Sequence, residues 1–86
     1  MLEEQRKKID DIDDEIARLF IERLTVAGEI AKIKRENNIP VLNASREREI
    51  LDRLTEGFDN ETTGYIETLF GTIFEISRFR QEKLII

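Results

Sequence analysis

Residues 2–36, LEEQRKKIDDIDDEIARLFIERLTVAGEIAKIKRE, contain no proline and a single glycine, Gly28. Two series run through them at seven-residue spacing: Leu2, Ile9, Ile16, Arg23, Ile30, and Gln5, Ile12, Leu19, Val26, Ile33. Eight of these ten positions are apolar, which predicts one long amphipathic helix. At about 1.5 Å per residue it would be roughly 50 Å long. The residues that follow are too few to cover such a stripe, and a second copy laid alongside would cover it.

Working outward, Asn37-Asn38-Ile39-Pro40 ends the helix, because asparagine tolerates left-handed backbone and proline disfavours helix in the residue before it. Val41 and Leu42 are expected to be extended. Asn43 reads as an N-cap for a short helix to about Glu56, whose apolar residues Ile50, Leu51 and Leu54 keep helical spacing. Gly57 to Asn60 reads as a turn. A last helix is expected from about Glu61 to Lys83, burying Ile66, Leu69, Phe70, Ile73 and Phe74. The fold class is therefore all-α, with one long, one short and one medium helix. No repeat, low-complexity tract or linker interrupts residues 1–86, which read as one domain with no fused regulatory part. The segment Lys83 to Ile86 reads equally as a frayed apolar tail or as a docking segment.

Composition narrows the function. Eighty-six residues without cysteine lie near the lower limit for a self-sufficient core, so association with a second copy is expected. Histidine is also absent, which argues against zinc. The net charge of −5 argues against nucleic acid. No apolar run is long enough to cross a membrane and the N-terminus lacks a signal core, so a soluble cytoplasmic protein is expected.

Several polar residues break the apolar pattern. Arg23 holds a slot in the first series, where a charge is expensive unless it is paired or used. It either snorkels to the surface, pairs with an acid, or binds a ligand. Lys34 lies eleven residues on, at nearly the same helical angle and roughly 16 Å along, so the two long cations could bracket a small anion. Arg6 is about 25 Å from Arg23 along the axis. It reads either as part of a solvated Arg6-Lys7-Lys8 turn or as a residue delivered to Arg23 by an antiparallel second copy. In the first turn of the short helix, Glu47 suits the helix dipole and Arg46 does not, so Arg46 needs an acid or an anion nearby. Ser77 and Gln81, four residues apart on one face, extend the apolar stripe of the last helix. Taken singly, they read as a back-bonded serine and a surface glutamine. Three or four cations, one carboxylate, a hydroxyl and a carboxamide suit binding and electrostatic stabilisation better than covalent catalysis.

The combination Leu2-Glu-Glu-Gln-Arg-Lys-Lys-Ile-Asp-Asp-Ile-Asp13, Ile-Glu-Arg23, Ile-Ala-Lys-Ile-Lys34, Ile-Pro40-Val, Ser-Arg46-Glu-Arg48 and Glu-Ile-Ser77-Arg-Phe-Arg-Gln81 resembles the all-helical (AroQ-class) chorismate mutases over essentially the whole chain. The resemblance implies three helices per chain in an intertwined homodimer, with each site completed by a residue of the other copy. It implies rearrangement of chorismate to prephenate without metal or cofactor. Arg23 would bind one substrate carboxylate with Ser77 near it, and Arg6 of the other copy would bind the second. Lys34 and Gln81 would donate to the ether oxygen, Glu47 would hold the ring hydroxyl, and Arg46 would support the site. The family often has Asp-Pro where this chain has Asn43-Ala44. Asparagine caps nearly as well, so a substrate contact through the backbone amide survives and one needing a carboxylate does not. Two alternatives remain, an isochorismate-pyruvate lyase on the same fold and a non-catalytic helical dimerisation module.

Overall fold

The computed structural model describes the backbone of residues 1–85 and the side chains of residues 1–84. It contains three helices, α1 (Glu3–Glu36), α2 (Ala44–Thr55) and α3 (Asn60–Ile85), and no strand among the described residues. The all-α expectation holds, and α3 starts one residue earlier than its sequence suggests. The part of the C-terminal tail at Ile86 lies outside the described residues.

Local chemistry sets the boundaries. α1 opens with Glu3 and Glu4 and closes with Lys34 and Arg35, each favourable to the helix dipole. At its end Asn38 adopts φ 55°, while the Asn37 amide and side chain donate to the Ile33 carbonyl and the Ile39 amide donates to that of Lys34. These bonds satisfy carbonyls that a helix end leaves open. Val41 forms a bend and Leu42 is irregular rather than strand, since no neighbouring strand is there to pair with them. Asn43 caps α2, its side chain accepting from the Arg46 amide at 3.1 Å. α2 runs out into Gly57 at φ 82°, a left-handed position that suits glycine. Asp59 caps α3 by accepting from the Thr62 amide at 2.7 Å, and that bond lowers its carboxyl pKa.

α3 packs against both α1 and α2, and α1 and α2 do not pack against each other. The close approach falls on small residues of α1. Ala27 and Ala31 are buried, and a Cβ at Gly28 would lie 3.3 Å from the Leu84 side chain. Phe74 is the only other buried apolar residue among the described ones. The expected inner face of α3 is only partly covered, because Leu69 is exposed in the single chain.

The stripe that decided the fold does not form this core. Leu2, Ile9, Ile12, Ile16, Leu19, Val26, Ile30 and Ile33 are all exposed. With 3.6 residues per turn, the inner face of Phe20, Leu24, Ala27 and Ala31 and the exposed stripe occupy adjoining sectors of α1. Arg23 lies on the seam between them. The protomer measures 55 × 27 × 14 Å with a radius of gyration of 15.9 Å, against about 12 Å for a compact domain of this length. Its accessible surface of 7027 Å² compares with about 5,300 Å² for a monomer of this mass. Among the described residues, no helix is long and apolar enough to cross a membrane.

Candidate active site

The most buried polar side chains are Ser77, 6% exposed, and Gln81, 7% exposed. They sit one turn apart on α3, which packs against α1, and they line the same cavity as Ala27. Gln81 Nε2 donates to Ser77 Oγ at 3.2 Å, and Gln81 Oε1 is buried without a partner. Neither bland reading of the pair survives. Gln81 is buried rather than on the surface, and among the described residues the Ser77 hydroxyl donates to no backbone carbonyl of its own helix, its hydrogen bond being the one it accepts from Gln81.

Around them opens a cavity of ≈320 Å³, where the C-terminal halves of α1 and α3 meet the first turn of α2. That volume lies within the roughly 300–1,000 Å³ range of small-molecule sites. Arg23 and Lys34 reach it from α1, Asn43, Arg46 and Glu47 from the start of α2, and Ser77, Arg78 and Gln81 from α3. Apolar walls come from Val26, Ala27, Ile30, Val41, Ile50 and Phe74. Seven of the eight residues expected from the sequence therefore share one cavity. The eighth, Arg6, is exposed on the projecting N-terminal part of α1, away from the cavity of its own chain.

The electrostatics are lopsided. Arg23, Lys34, Arg46 and Arg78 face a single carboxylate, Glu47. Half-buried Arg23 stacks over the Phe74 ring at 5.6 Å, a modest cation–π contact. Burial, and then the neighbouring Arg46 charge, push its guanidinium below the ordinary value, with Glu47 acting in the opposite direction. An arginine still keeps its proton, so the shift records a cation held without enough compensating negative charge. Lys34 Nζ donates to the Val41 carbonyl at 2.7 Å, pinning the chain after α1 back over the cavity. Arg46 pairs with Glu49 at 2.7 Å, which supplies the acid its position in the first turn called for. Glu47 pairs across helices with Arg78.

Arg78 is the charged residue that the sequence did not single out. On α3 it has Glu75 and Glu82 at i−3 and i+4, an ordinary surface arrangement that gives no reason to expect it in a cavity. The only available signal was its place beside Ser77.

Comparisons with known proteins point to one family. A sequence profile for chorismate mutase type II matches residues 5–82. A protein of Methanocaldococcus jannaschii named chorismate mutase is 45% identical over 53 residues, which cover 62% of this chain and 54% of that protein. A bifunctional chorismate mutase/prephenate dehydratase of Buchnera aphidicola (subsp. Schizaphis graminum) is 37% identical over 82 residues, 93% of this chain and 21% of that protein. The Escherichia coli K12 protein of the same name gives the same identity and coverage. The chain thus spans about half the length of the archaeal relative and about a fifth of these bifunctional ones. No solved structure matches. With the profile running through all three helices, the chain belongs to the chorismate mutase type II family.

Proposed function

We propose that the chain is a chorismate mutase of aromatic amino-acid biosynthesis, a single domain over residues 1–86 that works as a cytoplasmic homodimer. The observation that carries the reading is the clustering of Arg23, Lys34, Asn43, Arg46, Glu47, Ser77 and Gln81 around one electropositive cavity. A dicarboxylate supplies the negative charge that Arg23 lacks.

The reaction moves no atoms in or out. A carbon–oxygen bond breaks as a carbon–carbon bond forms, so the protein's task is to hold one conformer and stabilise its charge. Arg23, with Ser77 beside it, takes one carboxylate. Arg6 of a second copy takes the other, and fixing both ends brings the reacting carbons together. Negative charge grows on the ether oxygen as its bond stretches. Lys34 and Gln81 donate to it more strongly in the transition state than in the ground state. A half-turn of the Gln81 amide lets Oε1 accept from the Ser77 hydroxyl, and brings Nε2 to the position of the oxygen that now lacks a partner. Glu47 accepts from the ring hydroxyl, Asn43 contributes its backbone amide, and Arg46 supports the cluster from the cavity edge.

The exposed stripe supports the dimer. The protomer's surface exceeds that of a compact monomer by roughly 1,700 Å², more than the roughly 800 Å² each partner buries in a standard interface. An antiparallel partner would cover the stripe and carry Arg6 towards the cavity.

The test is loss of chorismate absorbance with the purified protein, with acid conversion of the product to phenylpyruvate. Saturable turnover without added metal or cofactor is expected. A folded protein that leaves chorismate unchanged overturns the reading, and elimination of pyruvate from isochorismate by that protein would replace it with the lyase.

A further inference from the structure

The ion pair between Arg78 and Glu47 differs in kind from the others. Every other ion pair among the described residues joins neighbours at most four positions apart, on largely exposed side chains. This one spans 31 positions, from α3 to α2, with side chains 30% and 25% exposed. Arg78 makes it in preference to Glu75 and Glu82 on its own helix.

Its consequence lies in what stays free. Among the described residues, Glu47 is the only carboxylate lining a cavity that also holds Arg23, Lys34 and Arg46. A glutamate with freely rotating torsions would fall onto one of those cations, and a cation so engaged cannot also receive a substrate carboxylate. Arg78 Nη1 instead donates to Glu47 Oε2. That leaves Glu47 Oε1 without a hydrogen bond, and Arg23 and Lys34 without an ion pair, among the described residues. We propose that Arg78 is a positioning residue: it fixes Glu47 so that the second carboxylate oxygen is presented to the substrate's ring hydroxyl, and it keeps Arg23 and Lys34 open to the anionic groups. The inference rests on the mutase reading above.

The argument predicts that Arg78 acts through Glu47 and has little effect without it. The measurement is kcat and KM for chorismate in the wild type, Arg78→Met, Arg78→Lys, Glu47→Gln and the double variant Arg78→Met/Glu47→Gln. Circular dichroism and melting curves check that each is folded. Misplacement of a reacting group by about 1 Å can lower activity about 10²-fold, and a loss approaching that is expected for Arg78→Met. Arg78→Lys keeps the charge and should restore much of the loss. In the Glu47→Gln background, removing Arg78 should lower kcat/KM by no more than about twofold, the scatter expected where no coupling remains. Additive losses, or an Arg78→Met enzyme as active as the wild type, would overturn the role of Arg78 while leaving the mutase reading intact. A folded wild type without turnover would overturn both.

Discussion

The two halves of α1 are built on opposite rules. Over its C-terminal half, from Arg23 to Lys34, the least exposed residues are, Leu24 apart, small or cationic, and α3 buries a serine and a glutamine beside Phe74. Over its N-terminal half, from Glu3 to Leu19, every residue is exposed, including Ile9, Ile12, Ile16 and Leu19. Polar groups lie inside and apolar groups outside, the reverse of a self-sufficient fold. On the function proposed above, the contrast would separate two tasks, a binding site at the C-terminal half and a surface for a second copy at the N-terminal half. A second apolar groove continues that surface, with Ile16, Ala17 and Phe20 of α1 facing Leu69, Ile73 and Ile76 of α3 across ≈330 Å³.

The sharpest test of the C-terminal half is Lys34→Ala. Loss of one well-placed electrostatic donor lowers kcat by about 10²–10³, and a loss of that size is expected here. Lys34 also tethers Val41, so a small drop in Tm should accompany it. The folded variant should keep its helical circular dichroism, and near-normal turnover would remove Lys34 from the chemistry.

The N-terminal half is tested by mixing. Arg6→Ala and Arg23→Leu should each be nearly inactive alone. In a dimer whose sites draw Arg23 from one copy and Arg6 from the other, a mixed dimer of the two variants holds one intact site and one doubly broken one. Refolding them together in equal amounts should recover about a quarter of wild-type activity, set by random pairing of subunits. No recovery would mean that Arg6 does not complete its partner's site.

Much of this division could be read from the sequence, and the reasons are local. The 3.6-residue period, the Asn43 cap and the helix end at Asn37-Asn38 depend on near neighbours, and each came out where expected. Four of the cavity residues were legible because each broke a pattern: Arg23 in an apolar series, Arg46 in an unfavourable first turn, Ser77 and Gln81 on an apolar face. Arg78 broke none, since its role depends on α2 packing across α3 at a separation of 31 positions. The exposure of Leu69 was likewise hidden, because periodicity marks an apolar face without saying which molecule covers it.

Gln81→Glu probes the buried end of the site with a smaller effect. The amide donates at any ordinary pH, whereas a carboxyl at this 7%-exposed position donates only when protonated. Burial raises a carboxyl's pKa, so the folded variant binds its proton more tightly than the unfolded chain. Its turnover should therefore be highest in acid and fall as pH rises, and its Tm should fall over the same range. A pH profile matching the wild type would show that Gln81 does not donate to the reacting oxygen.

The smallest expected change is in stability, and it falls on the seam between the two halves. Arg23→Leu removes a guanidinium held against burial and the Arg46 charge. It restores the apolar series and leaves no orphaned acid, because Glu47 keeps Arg78. Against this stands the lost contact with Phe74, worth about 0.5–1 kcal/mol at a partly exposed site. The balance favours a slightly higher Tm, on the scale of about 4–8 °C per kcal/mol for a domain of this size. Activity discriminates the readings: a helical dimerisation module would tolerate the change, and a mutase would lose turnover while gaining stability. Dicarboxylate anions add a second readout. They should raise the Tm of the wild type by neutralising Arg23, as any ligand that binds the folded state does, and should do so much less in the variant. Equal shifts in the two proteins would mean that the anion binds elsewhere and that Arg23 is not the residue receiving it.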